Sequence, residues 1–389
     1  MREPTSPRPD APFDVAVIGG GLAGLVAALA LRRSGRSVAL VAPGRPTDRR
    51  TTALLGESVD IMRGLGIWPA LADAAQPLRG IRIVDGTDRL IRAPEVLFRA
   101  EEIGVEAFGH NVPNETMLAA LDAAIDDSGV RRIGAAATGI AATVDAVAIE
   151  TAAETVHVRL AVAADGRSST IRRALGIGFR ADEPTQAALV CNLRHTAPHG
   201  DISTEFHTDG GPFTLVPLPG RRSALVWVMP IAEAEYLKAL AADVLAARIE
   251  ATGHSFLGAM TLDGPAQTFP LLTAEAERLT ADRVVLIGEA AHVLPPIAAQ
   301  GFNLTLRDIR ALVALLDDGD DPGAAATLAA YARDRGRDVG TRKLAVGLLN
   351  RSLLSAALPV QAARGVGLLA LSRMPFLRRA LIRQGLGLR

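Results

Sequence analysis

The stretch from Phe13 to Val41 constrains the fold of this chain more than any other. Phe13 to Ile18 (FDVAVI) is a short apolar strand pattern, and Gly19-Gly20-Gly21-Leu22-Ala23-Gly24 follows it at once. A helical run from Leu25 to Arg33 comes next, and Ser37 to Val41 reads as a second strand. The result is a βαβ unit with G-x-G-x-x-G at Gly19, Gly21 and Gly24, in the strand–turn–helix context that a dinucleotide-binding turn requires. Gly19 makes the tight turn, Gly21 lets the backbone approach a pyrophosphate, and Gly24 permits close helix–strand contact. The second strand should end in an acid that bonds the adenosine ribose, but Ala42 stands there, which sends the search for a ribose partner downstream to Asp48-Arg49-Arg50. This motif alone leaves FAD and NAD equally open.

Two further segments show the same strand-to-turn design. Leu160 to Arg172 (LAVAADGRSSTIR) carries an apolar strand that ends at Ala164, a turn at Asp165-Gly166, and a helix start near Ser169. By itself this is either an ordinary Asp-Gly turn or an acid placed to bond a ribityl hydroxyl. Val284 to Asp308 (VVLIGEAAHVLPPIAAQGFNLTLRD) runs from a strand into Gly288, through two prolines and a Gly-Phe-Asn turn, to a helical pattern expected from Leu304. A helix N-terminus facing a cavity offers unpaired N–H groups and a positive dipole end, which suits an anion or an electron-rich ring.

Together these segments resemble the group A flavoprotein monooxygenases of the p-hydroxybenzoate hydroxylase fold. That family's three motifs are matched by Gly19/Gly21/Gly24, Asp165-Gly166 and Gly288-Glu289, with Glu289 where the family usually has Asp. Within it, DRRTTAL (Asp48 to Leu54), FGHNVPNETMLAAL (Phe108 to Leu121) and PPIAAQGFNLTLRD (Pro295 to Asp308) resemble the FAD-dependent hydroxylases of ubiquinone biosynthesis. The resemblance implies FAD as cofactor, NAD(P)H as co-substrate, and O2 as oxidant, with one oxygen atom passed as hydroxyl from a flavin C4a-hydroperoxide to a polyprenylated phenol.

The resemblance also implies residue roles. Arg50 falls near the FAD sugar and pyrophosphate. Asn114 is a helix N-cap in its own right and also sits where the family places a polar group on FAD. Gly288 and Glu289 hold the ribityl chain, Pro296 stiffens the loop over the ring, and the backbone of Gly301, Phe302 and Asn303 faces the flavin pyrimidine edge. Asp308 reads as a helix-surface or loop-tying residue. No catalytic side chain stands out beyond His292, a weak acid–base candidate, because the chemistry belongs to the flavin. The histidines show no metal-ligand spacing, so no metal is expected.

Between Ala187 and Pro230 the pattern changes to short alternating strands, ALVCNLRH, STEFHT, FTLVPL and SALVWVMP, with turns at Gly210-Gly211-Pro212 and Pro219-Gly220. That is an antiparallel sheet, to which a hairpin of Ile81 to Val84 and Leu90 to Ile91 can add. Cys191, the single cysteine, reads as a strand-core residue and suits a reducing compartment. An aliphatic lobe of this kind fits a greasy substrate. In Leu225-Val226-Trp227-Val228-Met229-Pro230, Leu225 replaces the first Trp of the flavin halogenase signature, which argues against halogenation.

The formal net charge is zero, so nothing draws the chain generally to nucleic acid. Charge is nonetheless polarised: from Tyr331 onward there are twelve Arg and Lys residues against two acids, Asp334 and Asp338. Apolar and arginine positions alternate there at helical spacing. Such helices either lie on an anionic membrane surface or lipid-handling partner, or pack on the protein itself. No apolar run reaches the length of about 18 residues that a spanning helix needs, and MREPTSPRPDAPFD reads as a polar leading arm.

The expected architecture is α/β. A Rossmann-like FAD-binding domain takes residues 13–75, 100–180 and 280–340, an interleaved antiparallel-sheet substrate domain takes 76–99 and 181–279, and basic amphipathic helices take 341–389. The expected location is the cytoplasm, with the basic arm able to dock on the inner face of the cytoplasmic membrane. The rival readings are a hydroxylase of a small soluble aromatic or polyketide, and a non-catalytic flavin- or quinone-binding component of a biosynthetic assembly.

Overall fold

The computed structural model describes residues 13–45, 47–87, 94–295, 300–317, 321–354 and 374–386. Its centre is a sheet in which five strands run parallel, in the order Val284–Leu286, Thr155–Ala163, Phe13–Ile18, Val38–Val41 and Arg131–Ile133. Alternation along these strands divides the core in two. Val15, Val17, Leu40, Leu160, Val162 and Val285 meet Leu25, Leu29, Leu121, Ile125, Ile309 and Leu312 of three helices, Leu22–Arg33, Asn114–Ser128 and Gln300–Asp317. Ala16, Ile18, Ala39, Ala161, Ala163 and Leu286 point the other way, against Val147 and Ile149 of an antiparallel ribbon and against Ile171 and Ile177. Strands buried on both faces read as continuous apolar runs, as these do. Each fully buried Val, Leu or Ile contributes about 1.5–3 kcal/mol.

The second large sheet has the path Met260–Leu262, Gln186–His195, Arg222–Pro230, Gly211–Leu218, Ile202–Thr208, Gly80–Asp85 and Val96–Arg99. It is antiparallel as expected, with one exception: Ile202–Thr208 pairs in parallel with Gly80–Asp85. The hairpin partner of Gly80–Asp85 is Val96–Arg99; the expected partner Leu90 to Ile91 falls outside the described residues, as does the leading arm up to residue 12.

One face of this sheet is closed by helices. Leu189, Cys191, Phe213, Leu215, Leu225 and Trp227 pack on Leu237, Leu245 and Ile249 of the helices Ile231–Lys238 and Ala242–Thr252. Burial pushes the Cys191 thiol up to about 12, so it stays protonated and inert. The opposite face carries Ala188, Val190, Val216, Val226 and Val228. Phe269 pairs with Ala188 on that face, and the Arg50 guanidinium lies 5.6 Å from its ring centre. The face opposite those two helices therefore looks onto the parallel sheet's side of the molecule.

At the C-terminal end the described helices are Ala325–Leu354 and Pro375–Leu386. Ile382 is buried with Val96, Phe98 and Phe108, and Arg378 pairs with Glu102. Phe376 is 63% exposed, and Arg379 and Arg383 also face solvent. No helix among the described residues is long and apolar enough to cross a membrane.

Candidate functional site

Five parallel strands end side by side, and the three motifs at Gly19/Gly21/Gly24, Asp165-Gly166 and Gly288-Glu289 each follow one of those ends. Ala164 N donates to Ile18 O (2.8 Å), Gly19 N to Val41 O (2.9 Å), Ala42 N to Ile133 O (3.0 Å) and Ile287 N to Ala163 O (3.0 Å). Gly288, Asp165, Gly19, Ala42 and Gly134 thus form a crest along the carboxyl edge of the sheet, where open α/β sheets bind ligands.

The three motif glycines differ in what fixes them. A Cβ on Gly24 would come 1.8 Å from Gly19 O, and one on Gly19, whose φ is +124°, would come 2.3 Å from Ala164 O. Both are therefore dictated by the protein's own packing. A Cβ on Gly21 would meet nothing within 4 Å. That glycine faces open space above the crest, where its missing side chain leaves the backbone approachable.

Asp165 is held from one side only. Its Oδ2 accepts from Thr170 N (2.7 Å) and Ile171 N (3.2 Å), at the start of the helix Thr170–Ala174. Its Oδ1 is buried with no hydrogen-bond partner. A buried carboxylate oxygen without a donor costs free energy unless a ligand hydroxyl completes it. Arg172 braces the same loop: its guanidinium donates to Ala290 O (3.0 Å) and Arg167 O (2.8 Å), and its carbon lies 3.7 Å from the Phe179 ring centre. Gly166, at φ +80°, makes the turn. Burial lowers the Arg172 pKa while the Asp165 charge opposes that shift.

Beneath Gly288 lies a buried ionic cluster. Asp308 is 1% exposed; Oδ2 accepts from Gly288 N (3.3 Å) and pairs with His292 Nε2 (2.6 Å), and Oδ1 accepts from Arg335 Nε (2.8 Å). Arg335 also pairs with Asp338 at 2.9 Å. Of the two roles read for Asp308, the structure selects loop tying and excludes the helix surface, because its own helix Gln300–Asp317, the strand end at Gly288 and the helix Ala325–Leu354 converge on it. His292 has its Nε2 engaged inside this cluster. Glu289 is exposed in the turn Gly288–Ala290 and lies close enough to Arg50 to favour its charged form.

Arg50 itself forms a two-point pair with Asp48, Nε at 2.8 Å and Nη2 at 2.7 Å, which is the leading cause of its raised pKa. Asn114 does not cap its helix. It is the first residue of Asn114–Ser128, and its side chain reaches sideways, Nδ2 donating to Asp48 Oδ2 (2.9 Å) and Oδ1 accepting from Thr52 (2.7 Å). Asp48 is thereby committed to this cluster and is not among the residues lining the cavity beside Ala42.

The helix expected from Leu304 begins at Gln300, so Gly301, Phe302 and Asn303 form its first turn, where backbone N–H groups have no partner within the helix. Proline punctuation had suggested a later start; the extra turn is held because Asn303 substitutes for a strand neighbour. Its Oδ1 accepts from Leu55 N (3.0 Å) and its Nδ2 donates to Ala53 O (2.8 Å), along the free edge of Thr51–Leu55. Pro296 lies outside the described residues. Sequence reasoning missed Arg172, Arg335 and Arg45, since arginines in arginine-rich segments carry no local signal of burial or placement.

An approachable Gly21, an orphan acceptor on Asp165 and a helix N-terminus at Gly301 lie along one crest, and they fit a long anionic cofactor such as FAD. Comparison with known proteins agrees. Residues 12–342 match the FAD binding domain family. The ubiquinone hydroxylase UbiL of Rhodospirillum rubrum is 32% identical, the match covering 99% of this chain and 92% of that one. The 3-demethoxyubiquinol 3-hydroxylase of Escherichia coli is 28% identical over 97% of this chain and 99% of its own length. Among solved structures, the p-nitrophenol 4-monooxygenase of Pseudomonas putida superposes with a TM-score of 0.80 at 17% identity, covering 97% of this chain and 98% of that one, which shows the shared fold. The chain belongs to the FAD binding domain family and, within it, to the flavin-dependent monooxygenases that act as hydroxylases in ubiquinone biosynthesis.

Proposed function

We propose that the substrate is a phenol bearing a polyprenyl chain, hydroxylated between the crest and the face of the second sheet that is turned away from the helices Ile231–Lys238 and Ala242–Thr252. The observation that carries this reading is the composition of that face: Val190, Val216 and Val226 are half-buried and lie on the side away from the helices Ile231–Lys238 and Ala242–Thr252. At the edge of the same sheet, Val96 and Phe98 are buried against Ile382 of the helix Pro375–Leu386. The names of the relatives point to the same substrate class.

Bound FAD supplies reduction by NAD(P)H and activation of O2. The chain's own residues bind, orient and exclude water. Gly19 and Gly24 set the turn, and Gly21 admits the pyrophosphate. Asp165 accepts a hydroxyl from the ribityl-phosphate half, with Gly166 and Glu289 flanking the same chain. Gly288 is held at its amide by Asp308, with His292 and Arg335 in positioning roles. The first-turn amides of Gly301, Phe302 and Asn303 face the ring edge that gains negative charge on reduction. Arg50, steadied by Asp48 and Asn114, stands between Glu289 and the roof residue Phe269.

The division of labour follows the two sheets: the parallel sheet holds the cofactor, and the roof sheet shapes the substrate cavity. The helix Pro375–Leu386 presents Phe376, Leu377, Arg379 and Arg383 outward as a peripheral contact with an anionic lipid surface.

The test is turnover of the FAD-loaded protein with NADH or NADPH, O2 and a prenylated phenol, followed by mass spectrometry. A product heavier by one oxygen is the expected result. NAD(P)H oxidation stimulated only by short, unprenylated phenols would overturn the substrate assignment.

A further inference from the structure

The crest has a second end, beyond Val38–Val41, where the acid expected to hold the adenosine ribose is missing. A cavity of about 220 Å3 opens there, lined by Ala42, Pro43, Arg45, Arg132, Ile133 and Gly134 among others. Ala42 is too short to reach a ligand, and its Cβ already crowds Gly20, a Cβ on which would come within 2.9 Å of it. The polar side chains lining the cavity are those of Arg45 and Arg132. Arg45 donates through Nη1 to Gly20 O (3.3 Å), inside the glycine motif, and makes a two-point pair with Asp122 on the helix Asn114–Ser128. Arg132 donates to the same Asp122 carboxylate at 2.9 Å and pairs with Asp126. Asp122 is thus a shared anchor that fixes two guanidinium groups beside the cavity.

We propose that Arg45, oriented by Asp122, is the adenosine-binding residue of this chain, replacing ribose recognition by an accepting carboxylate with recognition by a donating guanidinium. A carboxylate can only accept from the ribose hydroxyls; a guanidinium can only donate to their oxygens and can also lie flat on the adenine ring. The hydroxyls are able to serve either partner. The link to Gly20 O places this donor at the turn that the G-x-G-x-x-G motif devotes to the pyrophosphate, so one residue connects the two halves of the nucleotide. Asp122 matters because a free surface arginine would lose rotamer entropy on binding that a paired one has already lost.

FAD and FMN separate this proposal from flavin binding in general, because FMN lacks the adenosine half. Apoprotein prepared from the full chain is titrated with each flavin, following quenching of flavin fluorescence. Arg45→Ala is expected to weaken FAD by about tenfold, the value of one charge-assisted hydrogen bond, while FMN affinity stays within about twofold. Arg45→Lys keeps the charge but loses the planar fork and should fall between the two, and Asp122→Asn should do the same with Arg45 intact. Circular dichroism and melting temperature confirm that each variant is folded, and Arg45→Lys serves as the decisive variant should Arg45→Ala not fold. Unchanged FAD affinity, or an equal loss for FAD and FMN, overturns the assignment.

Discussion

The two ends of the crest are built by opposite means. At the flavin end the loops after Asp165 and Gly288 are tied from below by buried groups: Arg172 to Ala290 O, Asp308 to Gly288 N, Asn303 to the edge of Thr51–Leu55. At the adenosine end the polar contacts are a partly exposed cluster of Arg45, Arg132 and Asp122, with side-chain exposures near 30%. Reaction geometry at the ring must be held within fractions of an ångström, whereas the adenosine need only contribute affinity. A rigid buried brace suits the first demand, and a solvent-screened pair suffices for the second.

The sharpest way to break this contrast is Asp308→Ala. It takes from Arg335 and His292 their shared buried acceptor and leaves Arg335 paired with Asp338 alone, which costs about 3 kcal/mol, the low end for a broken buried pair. Urea denaturation should show a loss of that size, accompanied by weaker binding of FAD and FMN alike. A loss below about 1 kcal/mol would mean that the cluster does not brace the flavin end.

Asn303→Ala tests a second tie. Leu55 N and Ala53 O lose their partner on a strand edge with no other strand beside it, a cost on the order of 2 kcal/mol. The expected signature is a lower denaturation midpoint with unchanged slope. A shallower slope would instead mean that the helix start unravels.

Much of the crest was legible in the sequence because it is local. A strand, a glycine turn and a helix start occupy about a dozen consecutive residues each, and periodicity with turn chemistry identifies them. Gly19, Gly24, Asp165 and Gly288 sit at strand ends for that reason. The braces were illegible because their partners are remote in the chain: Asn303 and Leu55 are 248 residues apart, and Arg172 and Ala290 are 118 apart. The helix beginning at Gln300 rather than Leu304 follows from the first of these contacts, which no window around Asn303 contains. Parallel pairing of Ile202–Thr208 with Gly80–Asp85 was hidden likewise, since alternation marks a strand without naming its neighbour or direction.

Asp165→Asn sharpens the comparison chemically. The substitution keeps an oxygen for Thr170 N and Ile171 N but removes the charge and one accepting oxygen from the crest. FAD and FMN affinity should both fall by about tenfold, since the ribityl-phosphate is common to the two. This is the opposite of the FAD-selective loss expected for Arg45→Ala. If Asp165→Asn proved FAD-selective, the flavin and adenosine ends would have to be exchanged.

The smallest effect expected is one of pH. Partial burial pushes the Asp122 carboxyl up, but hydrogen bonds and charge from Arg45 and Arg132 outweigh it, leaving its pKa below 3.8. A carboxylate with a depressed folded pKa contributes stability above its unfolded value and loses it only as pH falls through the folded one. The Arg45 anchor therefore stays ionised through mild acid. The ratio of FAD to FMN affinity should be flat between about pH 7 and pH 5, because the carboxylate remains charged and arginine does not titrate there. Asp122→Asn should lower that ratio by the same factor at every pH in the range. A ratio that drops toward pH 5 in the unmodified protein would mean that a group of higher pKa, and not Asp122, orients the guanidinium at the adenosine end.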